Sequence, residues 1–455
     1  MERTTKQRLQ IQITPQTTLW ELKGFLDKAK PDARLRLEGD VLFVRDERKG
    51  DNLSQAATYL SGKTAGKREV VWERLASLFA PNHMDFESHV NQVLSPEQIK
   101  ALRTGQGDLK VEHLLRILPE PVNANGKALM YDRFHPIGEG SYGKVYKAID
   151  PEGKAYALKQ PMKSTPQEAD ALRREADAQA RARKAKRSDN NYVVSTKPVV
   201  VNPHGGVVQP MAWALCNGLD MMKKFKVPET EHSVNLLARQ TVFDWVKGVG
   251  QVGRAGMAHR DIKPENWLLS KKGVWQVSDF GTSGPEETTY PANPLKKGYR
   301  VTGNGGVRNK SPEWLRSEQA PDNAVAYDPN GTFTVGHKAD VFSLGVAVFR
   351  LITGDSFPFK PPSSQDDRET TYMDNVLEYA DSYKNSGKPF SQWYSEWSGL
   401  EVPEQWRSFL DRALHADPEQ RASADELLND PVFDALQGVD EAELRRGLVE
   451  MANGH

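Results

Sequence analysis

Apolar and polar positions alternate along residues 8–14, where Leu9, Ile11 and Ile13 stand against Gln10 and Gln12, and this predicts a short strand. Thr18-Leu19-Trp20-Glu21 then reads as a capping box, with Leu22, Phe25, Leu26 and Ala29 at helical spacing behind it. Two more strands are predicted at 34–37 and 41–45, around the turn signal Gly39-Asp40. From about 53 to 118 the period is helical, and Ser95-Pro96-Glu97-Gln98 supplies a cap, a first-turn proline and a returning glutamine. Residues 119–127, rich in proline, asparagine and glycine, read as a linker. The pattern thus predicts a small mixed α/β domain at 1–120 and a linker at 121–130.

Beyond the linker the period becomes that of strands. Residues 134–149 and 154–159 flank the turn Asp150-Pro151-Glu152-Gly153, and a second hairpin is predicted from 199–201 and 207–211 around Pro203-His204-Gly205-Gly206. A charged helix is predicted between them at 166–187, and after 230 the chain reads as mainly helical. A strand-rich part followed by a helix-rich part predicts an α+β fold. The main domain is expected at 131–437, with a helical tail at 438–455.

Composition narrows the classes. Lysine plus arginine equals aspartate plus glutamate at 61 each, so net charge gives no reason to expect nucleic acid as a partner. A single cysteine, Cys216, excludes an intramolecular disulfide and a cysteine-rich zinc module, and a reducing, cytoplasmic setting is expected. The N-terminus lacks the apolar run of a cleaved signal. The longest apolar stretch, 341–352, falls short of the ~20 residues needed to span a bilayer and reads as a buried helix. His83 and His89 have no acidic or cysteine partner at ligand spacing, so they read as ordinary histidines.

Three clusters carry chemistry. The run Ile137-Gly138-Glu139-Gly140-Ser141-Tyr142-Gly143-Lys144-Val145 holds Gly-x-Gly-x-x-Gly, in which glycines let backbone amides approach phosphate oxygens. A dinucleotide fold uses the same spacing but leads into a helix, whereas here a strand follows, so the loop is a hairpin lid. Lys159 follows sixteen residues after Gly143, on the strand face shared by Ala155 and Ala157, where small side chains leave room for a flat ring. Its anion is expected from the next helix among Glu168, Glu175 and Asp177, with Glu175 favoured. The third cluster is His259-Arg260-Asp261-Ile262-Lys263-Pro264-Glu265-Asn266, followed by a strand ending Val277-Ser278-Asp279-Phe280-Gly281. The spacing lets two oxygen ligands, Asn266 and Asp279, converge on Mg²⁺, and frees Asp261 to orient a hydroxyl and accept its proton.

Over 130–437 these motifs resemble the eukaryotic-type (Hanks-type) serine/threonine protein kinases. The resemblance implies a bilobal fold with a β-rich N-lobe and an α-rich C-lobe, preceded here by the small α/β domain. It implies ATP and Mg²⁺ as cofactors, a protein substrate, and roles for Lys159 on the α/β-phosphates and Lys263 on the moving γ-phosphate. Ser311-Pro312-Glu313 stands at the family's Ala-Pro-Glu, Asp340-Val341-Phe342-Ser343-Leu344-Gly345 begins its buried central helix, and Arg421 matches the arginine that pairs with that glutamate. Arg260 before Asp261 implies tuning by phosphorylation within 282–310, where Thr288, Thr289, Tyr290, Tyr299 and Thr302 offer hydroxyls.

The chain departs from the family in three places. The run Gly305-Gly306-Val307-Arg308-Asn309-Lys310 lacks the family's threonine and aromatic residue, 321–337 is a polar insertion, and the helix around 172–187 is unusually basic. A solvated face is the simpler reading of that helix, and docking to an acidic partner or an anionic membrane surface is the other. A pseudokinase scaffold, or an enzyme of this fold acting on a small molecule or transferring nucleotide, are the alternative functions. Residues 1–120 are available to bind a regulator, chaperone or target, and delivery into a host cell is a further reading of the same organisation.

Overall fold

The computed structural model describes residues 10–12, 19–31, 33–38, 41–45, 75–76, 86–104, 110–118, 121–133, 135–140, 143–202, 205–225, 232–291, 307–319, 332–354, 357–360 and 369–454. Contacts divide the chain into two units, one of residues 1–162 with 200–208, the other of 163–199 with 209–455.

In the first unit, strands β1 (Gln10–Gln12), β2 (Arg34–Glu38) and β3 (Val41–Arg45) form an antiparallel sheet in the order β1-β3-β2. The alternation and the Gly39-Asp40 signal predicted these strands. Helices Leu19–Leu26, Phe86–Val93, Pro96–Thr104 and Val111–Ile117 bury Leu22, Leu26, Val90, Leu102, Val111 and Leu114 in one core. At the predicted helix start, Ser95 N–H donates to Gln98 Oε1 at 2.9 Å, and Gln98 N–H returns to Ser95 Oγ at 3.4 Å. His83 and the His89 side chain lie outside the described residues.

The segment expected to be a linker is instead a hairpin. Strands β4 (Pro121–Ala124) and β5 (Lys127–Tyr131) pair antiparallel, with Ala124 opposite Lys127. Asn125 and Gly126 both take positive φ (55° and 80°), the backbone of a two-residue type I′ turn. Asn-Gly between apolar residues is a hairpin signal, and composition alone misread it. Met130 is fully buried in the core of the preceding helices.

The larger sheet runs β4-β5-β7-β8-β10-β9, with β6 paired to β7, where β6 is Gly138–Gly140, β7 Gly143–Ile149, β8 Ala155–Gln160, β9 Val200–Val201 and β10 Val207–Ala212. The predicted strand at 134–149 is thus two strands of a tight hairpin.

In the second unit, helix Pro166–Lys184 starts at Thr165, whose Oγ1 accepts from Glu168 N–H. In this basic stretch Arg173, Arg174, Arg181, Lys184, Lys186 and Arg187 are exposed, the solvated face expected, and Arg183 differs. Arg183 donates to the Val193 carbonyl, and burial holds its guanidinium below the usual arginine range. Helix His232–Arg254 packs against helix His337–Thr353, whose residues 339–351 are all buried, as the apolar stretch predicted. Around them lie helices Glu369–Ser386, Phe390–Ser398, Glu404–Ala413 and the tail helix Glu441–Asn453. Strands β11 (Ala214–Asn217), β13 (Trp267–Ser270) and β14 (Trp275–Val277) form a small sheet, and β12 (Met257–Ala258) pairs with β15 (Gly284–Pro285). Trp245 stacks on Trp267 at 5.5 Å, which seats β13 on the long helix.

The inserted segment contributes a strand that its polar composition did not suggest. Strand β17 (Thr332–Gly336) pairs antiparallel with β16 (Glu287–Pro291) in register from Glu287↔Gly336 to Pro291↔Thr332. Among the described residues no helix is long and apolar enough to cross a membrane.

Candidate active site

The first unit carries the glycine hairpin and the strand lysine. Ile137 N–H donates to Val145 O at 2.8 Å, and Lys144 Nζ lies 3.5 Å from Glu139 Oε2 across the strands. Gly143 has φ 147°, and a Cβ there would stand 2.2 Å from Gln160 O, so only glycine closes this turn against β8. Gly138 and Gly140 have open space where a Cβ would be. Ser141 and Tyr142 lie outside the described residues. Lys159 is buried at 7% exposure and Ala157 is half-buried, with Lys159 opposite Val145 in the ladder.

The second unit carries the rest. Strand β12 delivers the chain to His259, and the 3₁₀ turn Pro264–Asn266 returns it into β13. Asp340, at the start of the buried helix, accepts His259 N–H at 2.6 Å and Arg260 N–H at 2.7 Å. Lys263 Nζ donates to Asp261 Oδ2 at 2.7 Å. Asn266 Nδ2 donates to the same oxygen at 3.0 Å and to the Asp261 carbonyl at 2.8 Å. Asp261 and Asn266 are both buried at 6%. Burial works against the Lys263 charge, but the Asp261 carboxylate outweighs it, so the ammonium is held above the usual lysine range.

The β13–β14 register, Trp267 opposite Val277, carries Asn266 across to Ser278. Ser278 N–H and Oγ both donate to the Asn266 carbonyl, at 2.9 and 3.0 Å. Asp279 follows in the left-handed region (φ 64°, ψ 70°), which aspartate tolerates. Phe280 turns inward, edge-on to His259 at 4.8 Å between centroids. A Cβ on Gly281 would lie 3.4 Å from Glu175 Oε2 and 3.5 Å from Asp279 Oδ1, so both carboxylates face this glycine. Glu175 is buried at 6% on helix Pro166–Lys184.

The donor chemistry suits magnesium. With Nδ2 of Asn266 turned to Asp261, its Oδ1 is the amide atom available to a cation, and Asp279 adds carboxylate oxygens. Asn266 and Asp279 would hold such an ion by few protein oxygens, which suits a cation that takes its other ligands from phosphate and water. Among the described residues there is no cluster of three or more acidic, histidine or cysteine ligands.

Sequence reasoning missed two groups here. Asp340 was read only as the start of a helix, and Lys310 only as part of an unusual run. Lys310 is 5% exposed and donates to the Arg260 carbonyl at 2.7 Å. Both act across fifty residues or more of sequence, where periodicity carries no signal. The Glu313–Arg421 pair forms as expected, bidentate at 2.6 and 3.0 Å, and Arg421 is fully buried. Burial opposes the Glu313 charge, yet Arg421 overrides it and holds the carboxyl below the usual range.

Residues 131–433, about two thirds of the chain, match the family model for the protein kinase domain. The chain belongs to the protein kinase family. Its kinase domain is similar to a calcium and calcium/calmodulin-dependent serine/threonine-protein kinase of Pisum sativum, 30% identical over 224 residues, covering 48% of this chain and 34% of that protein. It is also similar to a probable serine/threonine-protein kinase of Bifidobacterium longum, 28% identical over 262 residues, covering 53% and 28%. A third relative is the serine/threonine-protein kinase 4 homolog A of Dictyostelium discoideum, 26% identical over 308 residues, covering 65% and 53%. The chain spans about a third of the length of the first of these relatives and about half of the last.

Proposed function

We propose that the chain is an ATP-dependent serine/threonine protein kinase that transfers the γ-phosphate of Mg-ATP to a protein hydroxyl. The observation that carries this is the pair of bonds on one oxygen of Asp261. Lys263 and Asn266 both occupy Oδ2, which leaves Oδ1 to orient a hydroxyl and take its proton. Phosphoryl transfer needs mainly positioning and charge neutralisation, so a sparse constellation suffices.

Lys263, kept charged by Asp261, would steady the transferred group. Glycines 138, 140 and 143 would admit the phosphates, beside Ile137, Glu139, Ser141, Tyr142, Lys144 and Val145. Lys159 would meet the α/β-phosphates with Glu175 as its anion, and Ala157 would leave room for the base. Asn266 and Asp279 would hold Mg²⁺, which supplies charge neutralisation on the phosphates. The serine/threonine acceptor class is supported by Lys263 and by the names of the relatives.

We extend the reading to autophosphorylation among Thr288, Thr289, Tyr290, Tyr299 and Thr302, to partner binding by residues 1–120, and to action in a reducing compartment, with host delivery a function of that leading region. Labelled ATP with generic acceptors tests the core reading. Label on serine or threonine, lost in Asp261→Ala, supports it, and no transfer from either protein overturns it. Mass spectrometry of active protein with 282–310 unmodified rejects autophosphorylation. A reporter fused to residues 1–120 and not exported rejects delivery.

A further inference from the structure

We propose that Lys310 is a positioning residue for Asp261. The inference rests on the reading of Asp261 as the base, and it explains why the run 305–310 ends in a buried lysine.

Arg260 has φ 67°, a left-handed conformation that costs a residue with a Cβ about 1–2 kcal/mol and persists only where neighbours over-determine it. The peptide groups around it are pinned on every side. Upstream, His259 N–H and Arg260 N–H donate to Asp340, and Thr282 Oγ1 donates to the His259 carbonyl at 3.0 Å. Downstream lies the peptide joining residues 260 and 261. Its N–H donates to His259 Nδ1 at 3.3 Å, and its carbonyl accepts from Lys310 Nζ at 2.7 Å. Lys310 therefore fixes one end of the peptide plane from which the Asp261 side chain projects. The N–H side is held by the longer bond, so the lysine is the stronger of the two holds on this plane.

Lys310 is itself held. Its ammonium lies 4.3 Å from the centroid of the Trp314 ring, which is 2% exposed, a cation–π contact that offsets part of the cost of burying the charge. The turn Val307–Asn309 before it is tied to the central helix by Ser343 Oγ, which donates to the Asn309 carbonyl at 2.6 Å. Arg308 lies over the rings of Tyr372 and Phe357 at 4.9 and 5.5 Å. These contacts give Lys310 a rigid base, so its bond sets where the catalytic loop sits rather than following it. Without it the peptide plane can rotate, and Asp261 moves away from the position that Lys263 and Asn266 define.

Lys310→Met keeps length and packing under Trp314 but removes the donors, and Lys310→Arg restores a donor. In phosphoryl transfer, Lys310→Met is expected to lower kcat by about 10²-fold, the order produced by a ~1 Å misplacement of a reacting group. KM for ATP should stay as in wild type, and Lys310→Arg should recover most of kcat. In an Asp261→Asn background, Lys310→Met should cause no further fall, because its effect passes through that carboxylate. Amide hydrogen exchange over 257–266 should rise in Lys310→Met whether or not the protein transfers phosphate. Wild type without transfer activity therefore defeats the proposed function and still leaves Lys310 tested by exchange. Where Lys310→Met does not fold, Lys310→Leu, which also lacks a donor, takes its place. A wild-type kcat in the variant, an equal loss in the Asp261→Asn background, or unchanged exchange over 257–266 overturns the proposal.

Discussion

The catalytic loop 259–266 and the ribbon of β16 and β17 hold non-helical chain in place by different means. The loop is fixed by side chains reaching backbone, with Asp340 on two N–H groups, Lys310 on a carbonyl and Asn266 on another. The ribbon is fixed by a backbone ladder of five residue pairs, from Glu287↔Gly336 to Pro291↔Thr332. Side-chain anchoring is residue-specific, so one substitution removes it. A ladder tolerates most side chains and fails only where an N–H is lost or the register slips.

The contrast is sharpest at Asp261. Asp261→Asn keeps the shape of the loop and its bond to Lys263 but removes the proposed base, so transfer should fall by about 10²–10⁴-fold while thermal unfolding stays close to wild type. A matching fall in melting temperature would show that the residue is chiefly structural.

Arg421→Met should cost about 3–5 kcal/mol in denaturant unfolding, because it leaves the partly buried Glu313 carboxylate without the guanidinium. This pair also sets a pH dependence. Glu313 is held below its ordinary value when folded, so its contribution is complete above the unfolded glutamate pKa of ~4.3 and is lost as pH falls through the folded value. The stability gap between wild type and Glu313→Gln should be constant from neutrality to about pH 5 and should narrow below about pH 4. A gap that widened in acid would reverse the assigned direction.

Prolines at both Thr334 and Val335 should break the ribbon. In an antiparallel strand alternate N–H groups face the partner, so two consecutive prolines must remove one ladder donor. About 1–3 kcal/mol of local stability should be lost, seen as faster exchange at 287–291 with 257–266 unchanged. Faster exchange in both segments would mean that the two devices are coupled. The smallest effect is expected at Glu401, whose exposed pair with Arg407 spans 3.0 Å. Glu401→Ala should change stability by about 0–1 kcal/mol.

Much of the local structure was legible. The strands at 34–38 and 41–45, the cap at Ser95 and the buried helix at 337–353 all follow from periodicity and capping chemistry. Where reading failed, two local rules competed. Asn125-Gly126 was taken with its prolines as a linker, although the same dipeptide closes a type I′ hairpin. The basic helix, read as a solvated face, is exposed at Arg173, Arg174, Arg181, Lys184, Lys186 and Arg187, and the reading missed only the turn of Arg183 to the Val193 carbonyl.

The sequence by itself determined which groups the loop 259–266 carries, because Asp261, Lys263 and Asn266 stand within one short stretch. It also determined the pairing of Glu313 with Arg421, through family resemblance rather than spacing. Only the tertiary structure decided that Asp340 and Lys310 grip the backbone on either side of Arg260, and that part of the inserted segment becomes a strand against 287–291. The physical reason is separation along the chain. Local spacing fixes dihedral angles and faces, whereas a hydrogen bond between residues fifty or eighty apart exists only after the core has brought their elements together.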